Sequence, residues 1–116
     1  MTTISVKPAA FAARATMSGI VDLTGSTAVV GLVMPVTGWT PANVTIQGSP
    51  DGTTFYDLHD GMPGTELFFN VPMNSMVMLN PNRMRSCKAV RLRSGTAAAP
   101  IMQNAACTFG IVVEGP

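Results

Sequence analysis

Apolar and polar residues alternate most regularly near the C-terminal end of this 116-residue chain, in residues 88–93 and 105–113. Because successive side chains of a strand point to opposite faces, each segment is predicted to be a strand with one apolar face. The apolar sides comprise Val90, Leu92, Cys107, Phe109, Ile111 and Val113. Arg91 and Arg93 fall on the other side of the first strand, and we expect that side to face water.

A β-hairpin is predicted for residues 44–58, around the turn Ser49-Pro50-Asp51-Gly52. In such a turn proline presets φ, the aspartate side chain bonds nearby backbone groups, and glycine permits positive φ. β-favouring residues flank the turn on both sides, so the two arms can pair and bury one face. We interpret the hairpin as a scaffold feature that fixes strand register and performs no chemistry.

The remaining chain contains strand-like segments separated by Gly, Pro and Asn, with no sustained helical period. These segments are residues 16–23, 26–36, 66–71 and 75–79. Together with the hairpin and the C-terminal strands, they predict an all-β fold. We expect a single β-sandwich of jelly-roll type, with about eight antiparallel strands, in residues 16–116.

Residues 1–15 are predicted to form an extended N-terminal arm outside the sandwich, since they lack a sustained period. In this hypothesis the arm becomes ordered on a neighbouring subunit, where Ile4, Val6 and Phe11 would gain buried apolar contact. These three residues are therefore candidates for a protein interface. The same stretch has no sustained apolar core, so we expect no signal peptide.

Charged residues make up only 11% of the chain, although 47% of its residues are hydrophobic. A typical globular domain carries about 25% charged residues, so this composition favours a surface that other subunits partly cover. The net charge of +1 provides no general attraction to nucleic acid or anionic lipid. The longest apolar run, residues 28–36, is too short for a membrane-spanning helix of about 20 residues. We expect no membrane partner.

Residues suited to catalysis are sparse, because an enzyme site needs groups that can converge, such as a nucleophile with a base. The single histidine, His59, lies in a predicted turn, and we prefer an exposed loop histidine to a dyad with Cys87 or Cys107. The two cysteines are interpreted as buried thiols rather than as a disulfide. The sequence leaves the dyad open, but we expect no enzymatic activity and no catalytic residue.

Two possible metal sites have simpler structural explanations. Loop carboxylates can bind Ca²⁺, but Asp-Gly sequences are ordinary turn chemistry. Thioethers suit Cu(I), but nine methionines in one chain favour adaptable packing. The side chains concerned are Asp51, Asp57, Asp60 and Glu66 for calcium, and Met73, Met76 and Met78 for copper. We expect no metal and no cofactor.

Five of the seven positive charges are concentrated in residues 83–93. They could contact phosphate or acidic protein surfaces. Nucleic-acid binding also uses stacking aromatic rings, and the single Trp and the single Tyr are distant in sequence. We therefore prefer a solvated strand face or a protein-contact patch. Its interface candidates are Arg83, Arg85, Arg91 and Arg93.

Two motifs carry a resemblance to known families. The hairpin has the pattern Ser-x-Asp-Gly-x-x-Phe, and residues 92–100 read Leu-Arg-Ser-Gly-Thr-Ala-Ala-Ala-Pro. In this combination the chain resembles small virion proteins of tailed bacteriophages that are encoded among head genes. The hairpin, together with Asn80-Pro81 and the later strand at residues 89–93, also resembles discoidin-like jelly rolls.

The phage resemblance implies a non-enzymatic capsid decoration, or cement, protein. Such a protein would bind the major capsid protein lattice of the virion, which is assembled in the host cytoplasm, and we expect a homo-oligomer, either a dimer or a trimer. Another virion position remains an alternative: a head-fibre base, the neck or the tail. The discoidin-like resemblance implies a carbohydrate-binding module, which would need Trp39, Phe55 and Tyr56 as exposed rings.

Overall fold

The fold is all-β, as the alternation predicted. The computed structural model describes residues 3–59, 66–82 and 84–116, and this part of the chain contains nine strands and no helix. The strands are β1 (Thr3–Phe11), β2 (Val21–Asp22), β3 (Ala28–Val33), β4 (Val44–Ser49), β5 (Tyr56–Asp57), β6 (Phe68–Phe69), β7 (Met76–Met78), β8 (Ala89–Ser94) and β9 (Cys107–Gly115). No helix long and apolar enough to cross a membrane occurs in these described ranges.

Two antiparallel sheets form a sandwich-like architecture. The first, sheet A, has the strand order β1-β9-β3-β7. The second, sheet B, has the order β2-β8-β4-β5, with β6 also paired to β4. Both C-terminal strands predicted from alternation occupy central positions, where their apolar sides are covered by the opposite sheet. Val90, Leu92, Phe109 and Ile111 are all buried in the shared core.

An aromatic cluster closes one part of the core. The Phe11 ring centroid lies 5.5 Å from the centroids of both Trp39 and Phe109, and the Trp39 and Phe109 centroids are 4.9 Å apart. The Trp39–Phe109 pair is edge-to-face, which suits the quadrupoles of aromatic rings. Phe11 is completely buried here. The prediction that Phe11 contacts a neighbouring subunit is therefore wrong, because its ring packs inside its own domain.

The N-terminal arm differs from its prediction in the same way. Residues 3–11 form β1, which pairs with β9 along its whole length, from Thr3 opposite Gly115 to Phe11 opposite Cys107. The segment is extended, but it is an edge strand of sheet A rather than a free arm. Pairing with β9 satisfies backbone groups that a detached arm would leave to water.

The hairpin turn has the predicted chemistry. The hydroxyl of Ser49 accepts a hydrogen bond from the Gly52 N–H (2.8 Å), and Gly52 has φ of 87°. The Asp51 carboxylate accepts from the N–H groups of Thr54 and Thr53, both at 2.9 Å. These backbone bonds, together with one from the Ser49 hydroxyl, hold the pKa of Asp51 far below its usual range. One of its oxygens, Oδ1, therefore accepts all of these bonds within the turn.

The motif at residues 92–100 is built around a glycine that cannot be replaced easily. Gly95 has φ of 88°, and an added Cβ would clash with the Ala99 carbonyl and lie 2.7 Å from the Ile101 nitrogen. The Gly95 N–H donates to the Asn43 carbonyl (2.7 Å), and the Gly95 carbonyl accepts from the Thr45 hydroxyl (2.9 Å). The motif therefore joins the end of β8 to the start of β4.

Candidate functional site

The outer surface of sheet A is the candidate site. Strand register aligns Val6, Val112, Gly31 and Met78 in one row across all four strands. The intervening residues of the two central strands, such as Ile111, point into the core. We call this outer surface the open face and define it by Ile4, Val6, Val33, Met76, Met78 and Val112.

The open face is apolar and largely exposed. Ile4 is 57% exposed, Val6 60% and Met78 75%. Glu114 is the only charged residue at an outward position of sheet A within the described ranges, and it lies opposite Ile4, near one end of the face. Contiguous exposed apolar surface of this kind, with charge only at its margin, is typical of a protein interaction site.

Two glycines keep the open face flat. A Cβ on Gly110 would lie 2.7 Å from Val6 Cγ1, and a Cβ on Gly31 would lie 2.8 Å from the terminal methyl of Met76. Side chains of the edge strands therefore lie over the glycines of the central strands. Val112, between them, is only 6% exposed although it points outward. The result is a smooth apolar surface rather than a row of separate side chains.

The outer surface of sheet B has the opposite character, and we call it the covered face; it is defined by Thr45, Gln47, Arg91 and Arg93. Arg93 is 5% exposed. Its guanidinium donates to Asp57 Oδ1 (2.9 Å), to the Thr45 hydroxyl (3.1 Å) and to the Glu66 carboxylate. The prediction of a wet arginine face is therefore wrong for Arg93, because two carboxylates from other segments of the chain enclose it.

Arg91 is also engaged within the chain. Its Nε donates to Gln47 Oε1 (2.7 Å), and its guanidinium carbon lies 4.5 Å from the centroid of the Phe55 ring. Such a stacked cation–π arrangement leaves less of the guanidinium for a partner. Of the other basic candidates, Arg85 is exposed, and Arg83 lies outside the described residues. The four arginines thus do not form one exposed patch.

The Asp57 carboxylate links Gln47 and Arg93 on the covered face. It accepts from Gln47 Nε2 (2.9 Å) as well as from Arg93. The hydrogen bond from Gln47, supported by the hydrogen bond and charge of Arg93, lowers the pKa of Asp57, and desolvation opposes this only in part. Of the proposed calcium ligands, Asp57 and Glu66 are brought together by the Arg93 guanidinium that both of them bind, whereas Asp51 belongs to the hairpin turn. Asp60 lies outside the described residues, and no metal-holding group of three His, Cys, Asp or Glu occurs among the described ones.

The thiols and His59 lie in different surroundings. Cys107 is buried in the core and Cys87 is half-buried, both as free thiols. Burial raises the pKa of each thiol, which disfavours the thiolate that a nucleophile needs. His59 is exposed and forms an isolated bridge with Glu66.

The three aromatic rings of the carbohydrate hypothesis do not form one exposed platform. Trp39 is 6% exposed and belongs to the core cluster. Phe55 is half-buried beneath Arg91, and only Tyr56 is well exposed. A groove of about 430 Å³ does run beside Trp39, between Pro41 and Met73. Trp39 is the one aromatic residue among those that line it, and that side chain is almost completely buried.

The sequence contained part of the signal for the open face. Met76 and Met78 are two positions apart in a predicted strand, so alternation places them on one side of it, but the methionines were explained as adaptable packing. The outward set of β9, Thr108, Gly110 and Val112, contains no charge before Glu114, which was a visible sign of a dry outer surface. Gly31 and Gly110 were missed, because their effect depends on side chains from the neighbouring strands.

Comparisons with known proteins assign no family to this chain. No protein-family model and no curated protein matches the sequence. One solved structure is similar, from work titled "Bacillus endospore appendages form a novel family of disulfide-linked pili". It has a TM-score of 0.45 and 14% identity, and the match covers 98% of this chain and 87% of that chain. The chain's own strands define its class: within the described residues it is an all-β protein of two antiparallel sheets with one apolar outer face.

Proposed function

We propose that this chain is a non-enzymatic structural protein of a bacteriophage virion, and that it decorates the capsid by binding the major capsid protein lattice. The observation that carries the proposal is the open face. A smooth apolar surface spanning four strands, with charge only near its end, is suited to binding protein and lacks the groups that catalysis requires.

The physical basis of binding is burial of apolar area. Each square ångström removed from water contributes about 25 cal/mol, and the most exposed side chains of the face, Ile4, Val6, Met76 and Met78, would contribute most. Two of these are methionines, whose flexible thioethers adapt to irregular surfaces. That property suits a capsid lattice, where one protein meets neighbours in non-identical environments.

The sequence motifs support the virion assignment separately from the face. The Asp51 turn and the Gly95 turn are the places where the chain resembles phage head proteins. Both are turns on which the fold depends, so the resemblance concerns the scaffold. The open face then supplies the contact surface that a scaffold of this kind would carry in the virion.

Capsid reconstitution tests the proposal. Capsids of the phage that encodes this chain, prepared without it, are mixed with purified protein, and bound copies per particle are counted. Saturable binding of hundreds of copies supports decoration. A dozen copies or fewer would instead place the chain at the neck, tail or head-fibre base, and no binding to any virion part would overturn the proposal.

A matched pair of variants tests the surface. Met78→Lys puts a charge on the open face, whereas Val36→Lys makes the same change at a residue of similar exposure, 71%, in the loop after β3. We expect Met78→Lys to weaken capsid binding at least tenfold and Val36→Lys to leave it within twofold. Equal effects of the two substitutions would exclude the open face as the contact.

A further inference from the structure

One hydrogen bond shows which residues of β1 direct their backbone groups away from β9. The Gly19 N–H donates to the Ala10 carbonyl (3.0 Å), so the backbone groups of Ala10 point away from β9. In an antiparallel ladder, successive residues direct their N–H and C=O groups to alternate edges. The register of β1 with β9 has no irregularity. Ile4, Val6 and Pro8 therefore direct their groups to the same outer edge as Ala10.

This outer edge is free over a short stretch. Among the described residues, no backbone bond outside the sheet ladders involves Ile4 or Val6. Pro8 has no N–H, and beyond it the segment containing Gly19 occupies the edge at Ala10. The available groups are thus the donors and acceptors of Ile4 and Val6, with the Pro8 carbonyl beside them. An unpaired edge of this kind is a template for another strand.

We infer that this edge pairs with β1 of a second copy of the chain, antiparallel about a two-fold axis, with Ile4 opposite Val6 of the partner subunit. Each Ile4–Val6 pair exchanges both of its N–H···O bonds. The symmetry supplies a second, identical pair. Every free N–H of the stretch is then satisfied, and Pro8 lies outside the ladder, where its missing donor has no effect.

Charge favours the same register. In this arrangement Lys7 lies opposite Thr3 of the partner subunit, and the two Lys7 residues are four positions apart along the ladder. At about 3.3 Å per residue, this separates their Cα atoms by about 13 Å, more than the screening length of about 8 Å at physiological salt. A register shifted by four residues would set one Lys7 directly against the other, which is unfavourable.

The chemistry of the edge favours a second copy over an unrelated strand. The free stretch is complementary to itself, because the donors and acceptors of Ile4 and Val6 on one copy match those of Val6 and Ile4 on the other, and residues 3–7 suffice for the pairing. Side chains of Ile4 and Val6 would also meet across the two-fold axis on the outer surface. The buried area is below the roughly 800 Å² per partner of a standard interface. The dimer should therefore depend on concentration.

Pairing of this kind goes beyond capsid binding, since it would join two open faces into one continuous surface. At about 4.8 Å per strand, the eight strands of the joined sheet would be about 38 Å wide. The pairing uses the backbone edge of β1, whereas capsid contact uses side chains of the face. Failure of one proposal therefore does not imply failure of the other.

Cysteine crosslinking tests the register. Ser5 is exposed and would lie opposite Ser5 of the partner subunit as a non-hydrogen-bonded pair, with Cα atoms about 4.5 Å apart. That spacing allows a disulfide. Thr3→Cys is the matched control, because it introduces an exposed cysteine on the same side of β1 that would lie about 13 Å from its own counterpart. Under mild oxidation we expect Ser5→Cys to form covalent dimer at least tenfold faster than Thr3→Cys or the wild type.

A proline substitution tests the hydrogen bonds. In the Ser5→Cys background, Val6→Pro removes an outward N–H and leaves the groups facing β9 intact. We expect at least a tenfold loss of crosslinking, with circular dichroism confirming the fold. Met78→Lys in the same background should crosslink normally even if capsid binding is lost. Equal crosslinking of Ser5→Cys and Thr3→Cys, no crosslinking at all, or a crosslink to the major capsid protein instead would overturn the pairing.

Discussion

On the covered face of sheet B, Arg93 is enclosed by Asp57 and Glu66, and Arg91 is stacked on Phe55. On the open face of sheet A, side chains such as Val6 and Met78 are left in water, and glycines replace the residues that would have stood between them. The two surfaces belong to one small domain and differ in what covers them. Segments of the same chain cover the outer surface of sheet B, and nothing within the described residues covers the outer surface of sheet A.

The two faces differ in how far hydrogen bonds within the chain are required of them. Polar groups on the covered face have partners, and no buried side-chain N or O among the described residues lacks one. A buried hydrogen-bond network stabilises the fold most when every polar group has a partner, because an unpaired buried group destabilises it. The open face carries no such requirement, so its most exposed side chains can change with little effect on folding.

The largest expected effect is on the covered face. Arg93→Ala would leave Asp57 and Glu66 without their cation and should destabilise the fold by about 3–5 kcal/mol. Arg85→Ala, at an exposed arginine, is the control and should change stability by less than about 0.5 kcal/mol. Urea unfolding of both variants measures the difference. Similar stabilities would mean that the enclosed ion pairs contribute no more than a surface charge.

Acid should weaken the covered face selectively. The folded-state pKa of Asp57 is lowered by Gln47 and Arg93, so its contribution is complete above the unfolded value of about 3.9 and is lost as pH falls through the folded value. Tm measured from pH 7 to pH 3 should fall more for the wild type than for Asp57→Asn, which has no carboxyl to titrate there. Parallel curves for the two proteins would contradict this account.

A smaller effect is expected from filling a gap in the open face. A methyl group from Gly110→Ala would be 2.7 Å from Val6 Cγ1 and 3.3 Å from Val33 Cβ. Displacing these side chains should destabilise the fold by about 1 kcal/mol. Gly19→Ala is the control, since a Cβ there meets nothing within 4 Å. Thermal unfolding should show a lower Tm for Gly110→Ala only.

The smallest effect on folding is expected at the most exposed position of the open face. Met78→Lys should change the free energy of unfolding by less than about 0.5 kcal/mol, as is usual for a surface substitution. Chemical unfolding checks this directly. A stability loss above about 2 kcal/mol would mean that Met78 supports the fold, and the loss of capsid binding expected from the same variant could then not be assigned to the surface.

Local patterns predicted the parts of the fold that depend on neighbouring residues in sequence. The hairpin turn was correct because its hydrogen bonds are local: the Ser49 hydroxyl donates to the Asp51 carboxylate and accepts from the Gly52 N–H. The inward sides of β8 and β9 were correct because alternation alone decides them. The class of fold followed from these elements.

Contacts between distant segments explain what the sequence did not reveal. Strand β1 was missed because its apolar residues change face along its length, with Ile4 and Val6 outward and Ala9 and Phe11 inward. Arg93 was placed in water because its carboxylate partner Glu66 is 27 residues away along the chain. The candidate site was only partly predictable for the same reason. Its apolar side chains could be identified from the sequence, but the role of Gly31 and Gly110 beneath them could not.

The pairing of β1 with β9 also determines when the domain can be completed. Lys7 lies opposite Ile111, so the first strand finds its place in sheet A only after residues 107–115 have been synthesised. Contacts of such large sequence separation are slow to form because a long loop must close first. Until then both β1 and β3 lack β9, the strand that lies between them in sheet A.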